Sequence, residues 1–156
     1  METYSFDGLT LYFDSEEREA ADLIRAACEK TVQLARSLWG LGVPHGCRVY
    51  MMTSWLRFAF HASPWPRKVL LALFMPFWAI RARKVWVFSG GWTLSYQKPP
   101  VAGIKPPWLM EKADKTMGRQ IFVLETDMNV KTQHVTCHEL THALTGHLRL
   151  PAWLHE

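Results

Sequence analysis

Residues 138–142 read His-Glu-Leu-Thr-His. On an α-helix, positions i and i+4 share a face, so His138 and His142 can present two imidazoles to one metal ion, and zinc suits such a pair. Glu139 adjoins the first histidine, where a carboxylate beside the metal can act as general base toward water. A catalytic zinc also needs a third protein ligand and an open position.

Three residues beyond the motif are candidates for that ligand. His147 lies five residues past His142, but the metzincin pattern asks for Gly at 145 and His at 148, where this chain has Thr145 and Leu148. His155 has no supporting pattern. Glu156 closes the segment Leu150-Pro-Ala-Trp-Leu-His-Glu, with thirteen residues between it and His142.

Taken together, HELTHALTGHLRLPAWLHE resembles the gluzincin branch of the zincin-like metallopeptidases, the peptidase MA-like group, whose members join HExxH to a segment such as LPxWLxEG. The resemblance covers residues 138–156, about an eighth of the chain. It implies a zinc-dependent peptidase, a hydrolase of peptide or protein substrates. His138, His142 and Glu156 would be zinc ligands and Glu139 the catalytic base. Leu150, Pro151, Trp153 and Leu154 match the turn and helix start that aim the third ligand. Family members continue with Gly and a further helix, whereas this chain ends on Glu156. The expectation is therefore one zincin-like catalytic domain over 1–156, a fragment incomplete at its carboxyl end and inactive in this form.

Neighbouring residues have plainer readings. His134 shares the face of His138 but would close the open zinc position, so a supporting or solvated role is expected. Cys137 points to another face and reads as a small core residue. Tyr96 could stabilise an oxyanion, but reads first as an amphipathic strand residue. In zincins the substrate adds along the edge strand above the metal, and Val101–Ile104 and Trp92–Tyr96 are the candidates for that strand.

The elements around the motif must hold it. Asp14 to Trp39 reads as an amphipathic helix, with Asp14 and Glu17 at capping-box spacing and Ala20, Leu23, Ala27, Leu34 and Leu38 as its apolar stripe. Cys47–Thr53 reads as a strand. Pro64 and Pro66 precede an apolar helix over Val69–Ile80, bent or interrupted at Pro76. Lys84–Ser89 and Trp92–Tyr96 read as strands joined by a Gly90-Gly91 hairpin turn. Val101–Ile104 is a short extended piece and Arg119–Glu125 another strand. A last helix, starting at Asp127 or Asn129, carries the histidines to Gly146. This order predicts an α+β fold with a mixed sheet, an N-terminal helix, an inserted apolar helix and an active-site helix.

Charge narrows the chemistry. Residues 1–30 carry eight acids and three bases, residues 31–110 ten bases and no acid, and residues 111–156 six acids and five bases. Carboxylate chemistry therefore belongs to the ends of the chain. Three cysteines without a CxxC pair argue against a disulfide framework or a cysteine zinc knuckle, and the N-terminus lacks a signal-peptide pattern. The expected location is cytoplasmic, with a peripheral position at the inner face of a membrane as the alternative.

The twelve-residue run Val69–Ile80 is short of the roughly 20 residues that cross a bilayer. Residues 55–92 nonetheless combine five tryptophans with Arg57, Arg67, Lys68, Arg81, Arg83 and Lys84, the composition of an interfacial segment. No nucleic-acid motif accompanies these bases. The alternative function is a membrane-surface or adaptor domain whose zinc site is structural or vestigial.

Overall fold

The computed structural model describes residues 1–66, 68–70, 72–74, 86, 89–95, 97–117 and 127–148. The chain starts with a hairpin. β1 (Glu2–Phe6) and β2 (Leu9–Phe13) pair antiparallel across Asp7-Gly8, whose φ values of 49° and 86° are both positive, as a two-residue type I′ turn requires. This hairpin is absent from the sequence reading, although Leu9, Leu11 and Phe13 alternate just after an Asp-Gly pair.

A 3₁₀ turn at Ser15–Glu17 leads into α1 (Arg18–Trp39). The capping role expected for the Asp14 side chain is not realised. Its carboxylate instead takes both Nη atoms of Arg57, with Nη2 at 2.7 Å. The two-pronged guanidinium–carboxylate geometry occupies both oxygens of the side chain. The buried face of α1 is Ala21, Ile24, Ala27, Cys28, Thr31, Val32 and Ala35, so Ala27 of the expected stripe is buried, whereas its Leu34 and Leu38 are exposed.

β3 (Cys47–Met51), β4 (Gly91–Leu94) and β5 (Val101–Ile104) complete a five-stranded sheet in the order β1-β2-β3-β5-β4. β2, β3 and β5 run parallel, and the two outer strands run antiparallel to their neighbours. Gly91 therefore lies inside a strand whose partner is β5, and the Gly90-Gly91 hairpin turn is not formed. Of the strand expected over 84–89, Trp86 and Ser89 are described, and Trp86 is helical. The strand expected over Arg119–Glu125 lies outside the described residues, as do positions 75–80 of the apolar helix, which is helical at 68–70 and 72–74.

The remaining helices are α2 (Trp55–Ala62), α3 (Pro107–Met117) and α4 (Met128–Thr145). The first two are not among the sequence expectations, although Pro107 at the first position of α3 is a favoured helix start. The fold is α+β. Among the described residues, no helix is long and apolar enough to cross a membrane.

Strand alternation builds a core on each face of the sheet. Leu9, Leu11, Phe13, Cys47, Val49, Met51, Ala102 and Ile104 meet α1 and α4 through Ile24, Cys28, Val32, Leu140, Ala143 and Leu144. On the other face Tyr50, Met52 and Val101 meet Phe58 and Ala62 of α2, with Trp86, Trp92 and Leu94 against them.

One buried ion pair ties α3 to α4, with Lys131 Nζ 2.6 Å from Asp114 Oδ2 and the lysine side chain 2% exposed. Removing one partner leaves an uncompensated buried charge. Asp114→Ala is therefore expected to cost about 3 kcal/mol in urea unfolding, and pairing it with Lys131→Met should recover most of that loss.

Candidate metal centre

The helix that carries the motif is capped by Asp127, whose Oδ1 accepts from the backbone N–H of Asn129 at 2.8 Å and of Val130 at 3.4 Å. Its threonines are self-satisfied. Thr132, Thr136, Thr141 and Thr145 each donate to the carbonyl four residues back at 2.7–2.8 Å, so this face packs without orphaned hydroxyls. Leu140, Ala143 and Leu144 turn into the core and leave His138 and His142 on the outer side of the helix.

The two imidazoles converge. His138 Nε2 and His142 Nε2 are 3.0 Å apart, and their rings meet almost perpendicularly at 89°. Two nitrogens on one tetrahedral zinc, each about 2.05 Å from it, stand about 3.3 Å apart. The pair thus fits a shared zinc ion with a few tenths of an ångström of adjustment.

Glu139 meets β4 of the sheet, and strand register explains why. Thr93 pairs with Ala102 and Gly91 with Ile104, whose side chains face α1 and α4. Gly91 and Thr93 therefore face α4, while Trp92 and Leu94 face the α2 side. The Thr93 hydroxyl lies 2.5 Å from Glu139 Oε2 and 2.9 Å from the Glu139 backbone oxygen. At Gly91, a Cβ would collide with Glu139 Cγ and crowd its carboxyl group. The missing side chain makes room for the glutamate. Burial raises the Glu139 pKa, against the opposing effects of the Thr93 hydrogen bond and of His138.

Lys105 fastens the entry to β4. Its backbone N–H donates to Gly90 O at 3.0 Å, while Nζ donates to Trp86 O and sits 4.5 Å from the centre of the Trp86 ring. The side chain is 2% exposed, and burial pulls its pKa down to about 8.

Other expected residues fall as follows. Glu156, His155, Leu150, Pro151, Trp153, Leu154 and Tyr96 lie outside the described residues. His134 and His147 are exposed, and among the described residues no group of three His, Cys, Asp or Glu could hold a metal, so neither completes the histidine pair. Cys137 turns toward α1, where its Sγ receives the Thr31 hydroxyl at 3.0 Å. All three cysteines are free thiols.

Thr93, Gly91 and Lys105 are not among the site residues of the sequence reading, which has Gly91 in a hairpin turn and Thr93 within a strand. A glycine pair entering a strand can signal close backbone approach as well as a turn, and that was the signal for Gly91. Compared with known proteins, the chain matches no family model, no curated protein and no solved structure.

Gly91→Ala is expected to cost about 1–3 kcal/mol through overpacking. Most of that cost should disappear in a Glu139→Ala background, a coupling that a double-mutant cycle in chemical denaturation reads directly.

Lys105 gives a pH dependence of defined sign. Its folded pKa near 8 lies below the unfolded value, so the folded state releases its proton first, and this group's contribution to stability rises with pH between about 8 and 10.4. Lys105→Met should remove that rise from a series of thermal melts across this window.

Proposed function

We propose that the chain is the zincin-like catalytic domain of a gluzincin-type zinc metallopeptidase. One observation carries the reading. The motif histidines bring their Nε2 atoms within 3.0 Å while the glutamate between them is held against β4.

His138 and His142 would hold a zinc ion, with Glu156 as the proposed third ligand, and the bound metal would supply carbonyl polarisation and acidify water. Glu139 takes a proton from the attacking water and delivers it to the leaving amine. The Thr93 hydroxyl fixes the carboxyl group and Gly91 leaves space for it.

The substrate peptide lies extended along β4. Of the two candidate strands, β5 lies between β3 and β4, whereas β4 ends the sheet among the described residues, which favours β4 for strand addition.

Glu139→Gln in the full-length protein should retain zinc by atomic absorption and lose peptide hydrolysis by about 10²–10⁴-fold. His138→Ala should lose the zinc itself. Unchanged turnover in Glu139→Gln would exclude the mechanism, and a wild-type protein that binds zinc without hydrolysing peptides would indicate a structural site.

A further inference from the structure

Among the described residues, a run of exposed apolar side chains lies away from the histidine motif in sequence. Val69, Leu70, Ala72, Leu73 and Phe74 are helical and all exposed, Leu73 at 71%. At 100° per residue these five positions sweep roughly 200° of helix circumference. A helix packed on a protein surface presents an apolar stripe nearer 100° wide. A sweep this broad suits immersion in a fluid apolar phase better than docking in one groove. Trp65, 77% exposed, stands at the start of the segment, and Phe60 continues the apolar surface onto α2.

Charge selects the partner. Lys68 begins the run and lies with Nζ 4.6 Å from the centre of the Phe60 ring. Arg67, Arg81, Arg83 and Lys84 flank the same apolar run in sequence, and no acid occurs anywhere from 31 to 110. Asp14, from outside that stretch, reaches α2 and is paired with Arg57. Apolar side chains bounded by tryptophan and bases match a bilayer interface with anionic headgroups. The apolar run is twelve residues, too short to cross a membrane.

We propose that the segment around 65–74 docks this protein onto an anionic lipid surface, lying in the interface without spanning it. This attachment is independent of the reaction proposed above.

The test is co-sedimentation of the full chain with unilamellar vesicles of phosphatidylcholine alone, or of phosphatidylcholine with phosphatidylserine, at low and high salt. The protein should pellet with the phosphatidylserine vesicles, less so at high salt and much less with phosphatidylcholine alone. Leu73→Glu combined with Phe74→Glu should weaken partitioning about tenfold or more while leaving the circular dichroism spectrum unchanged. Trp65→Ala, on another exposed residue, should weaken it in the same direction.

Failure to pellet, equal pelleting with both vesicle types, or pelleting unaffected by the glutamates would overturn the proposal. So would concentration-dependent self-association that the glutamates abolish in the absence of vesicle binding, because the surface would then belong to a second copy of the chain.

Discussion

The close approach of β4 to α4 is the constraint on which the candidate site depends. A sheet and a helix normally keep a side-chain layer between them. Here Gly91 removes that layer at one point, and the Glu139 side chain fills the gap. The pleat then places Thr93, two residues on, where its hydroxyl meets the same carboxyl group. A shift of one residue in β4 would exchange Gly91 and Thr93 for Trp92 and Leu94. Pairing of β4 with β5 therefore sets the glutamate's surroundings, and Lys105 secures that pairing where β4 begins.

Electrostatics along the chain and in space differ. The sequence divides into an acidic start and a basic middle, yet the fold draws them together. Arg57 crosses to Asp14, and Arg36 reaches back to Asp7 in the first turn. These exposed pairs contribute little stability individually, but they lower the field around α2 and the end of α1. Bases without such partners in the acidic start are left to shape the charge around the apolar run.

Much of this was legible from residue types and spacing. The helical period identified α1 and α4, and Asp127 marked the start of α4 by its cap. The i,i+4 rule brought His138 and His142 together. The α1 stripe was harder to orient, because Leu34 and Leu38 have the right character but are exposed, while Ala21, Ile24, Cys28, Val32 and Ala35 form the packed face. Asp14 was misread because a local rule cannot see Arg57, forty-three residues away. Thr93 was invisible for the same reason. Its partner lies forty-six residues on, and only strand register joins them.

The parallel centre of the sheet has a kinetic consequence. The β1–β2 hairpin closes over two residues, and β4 finds β5 across a short connection. Joining these halves requires Arg48 to meet Val101, which closes a loop of more than fifty residues. Such a closure loses chain entropy before any contact repays it, so it slows assembly. The two strand pairs can form early and wait for each other, with β3 and β5 as the seam between them.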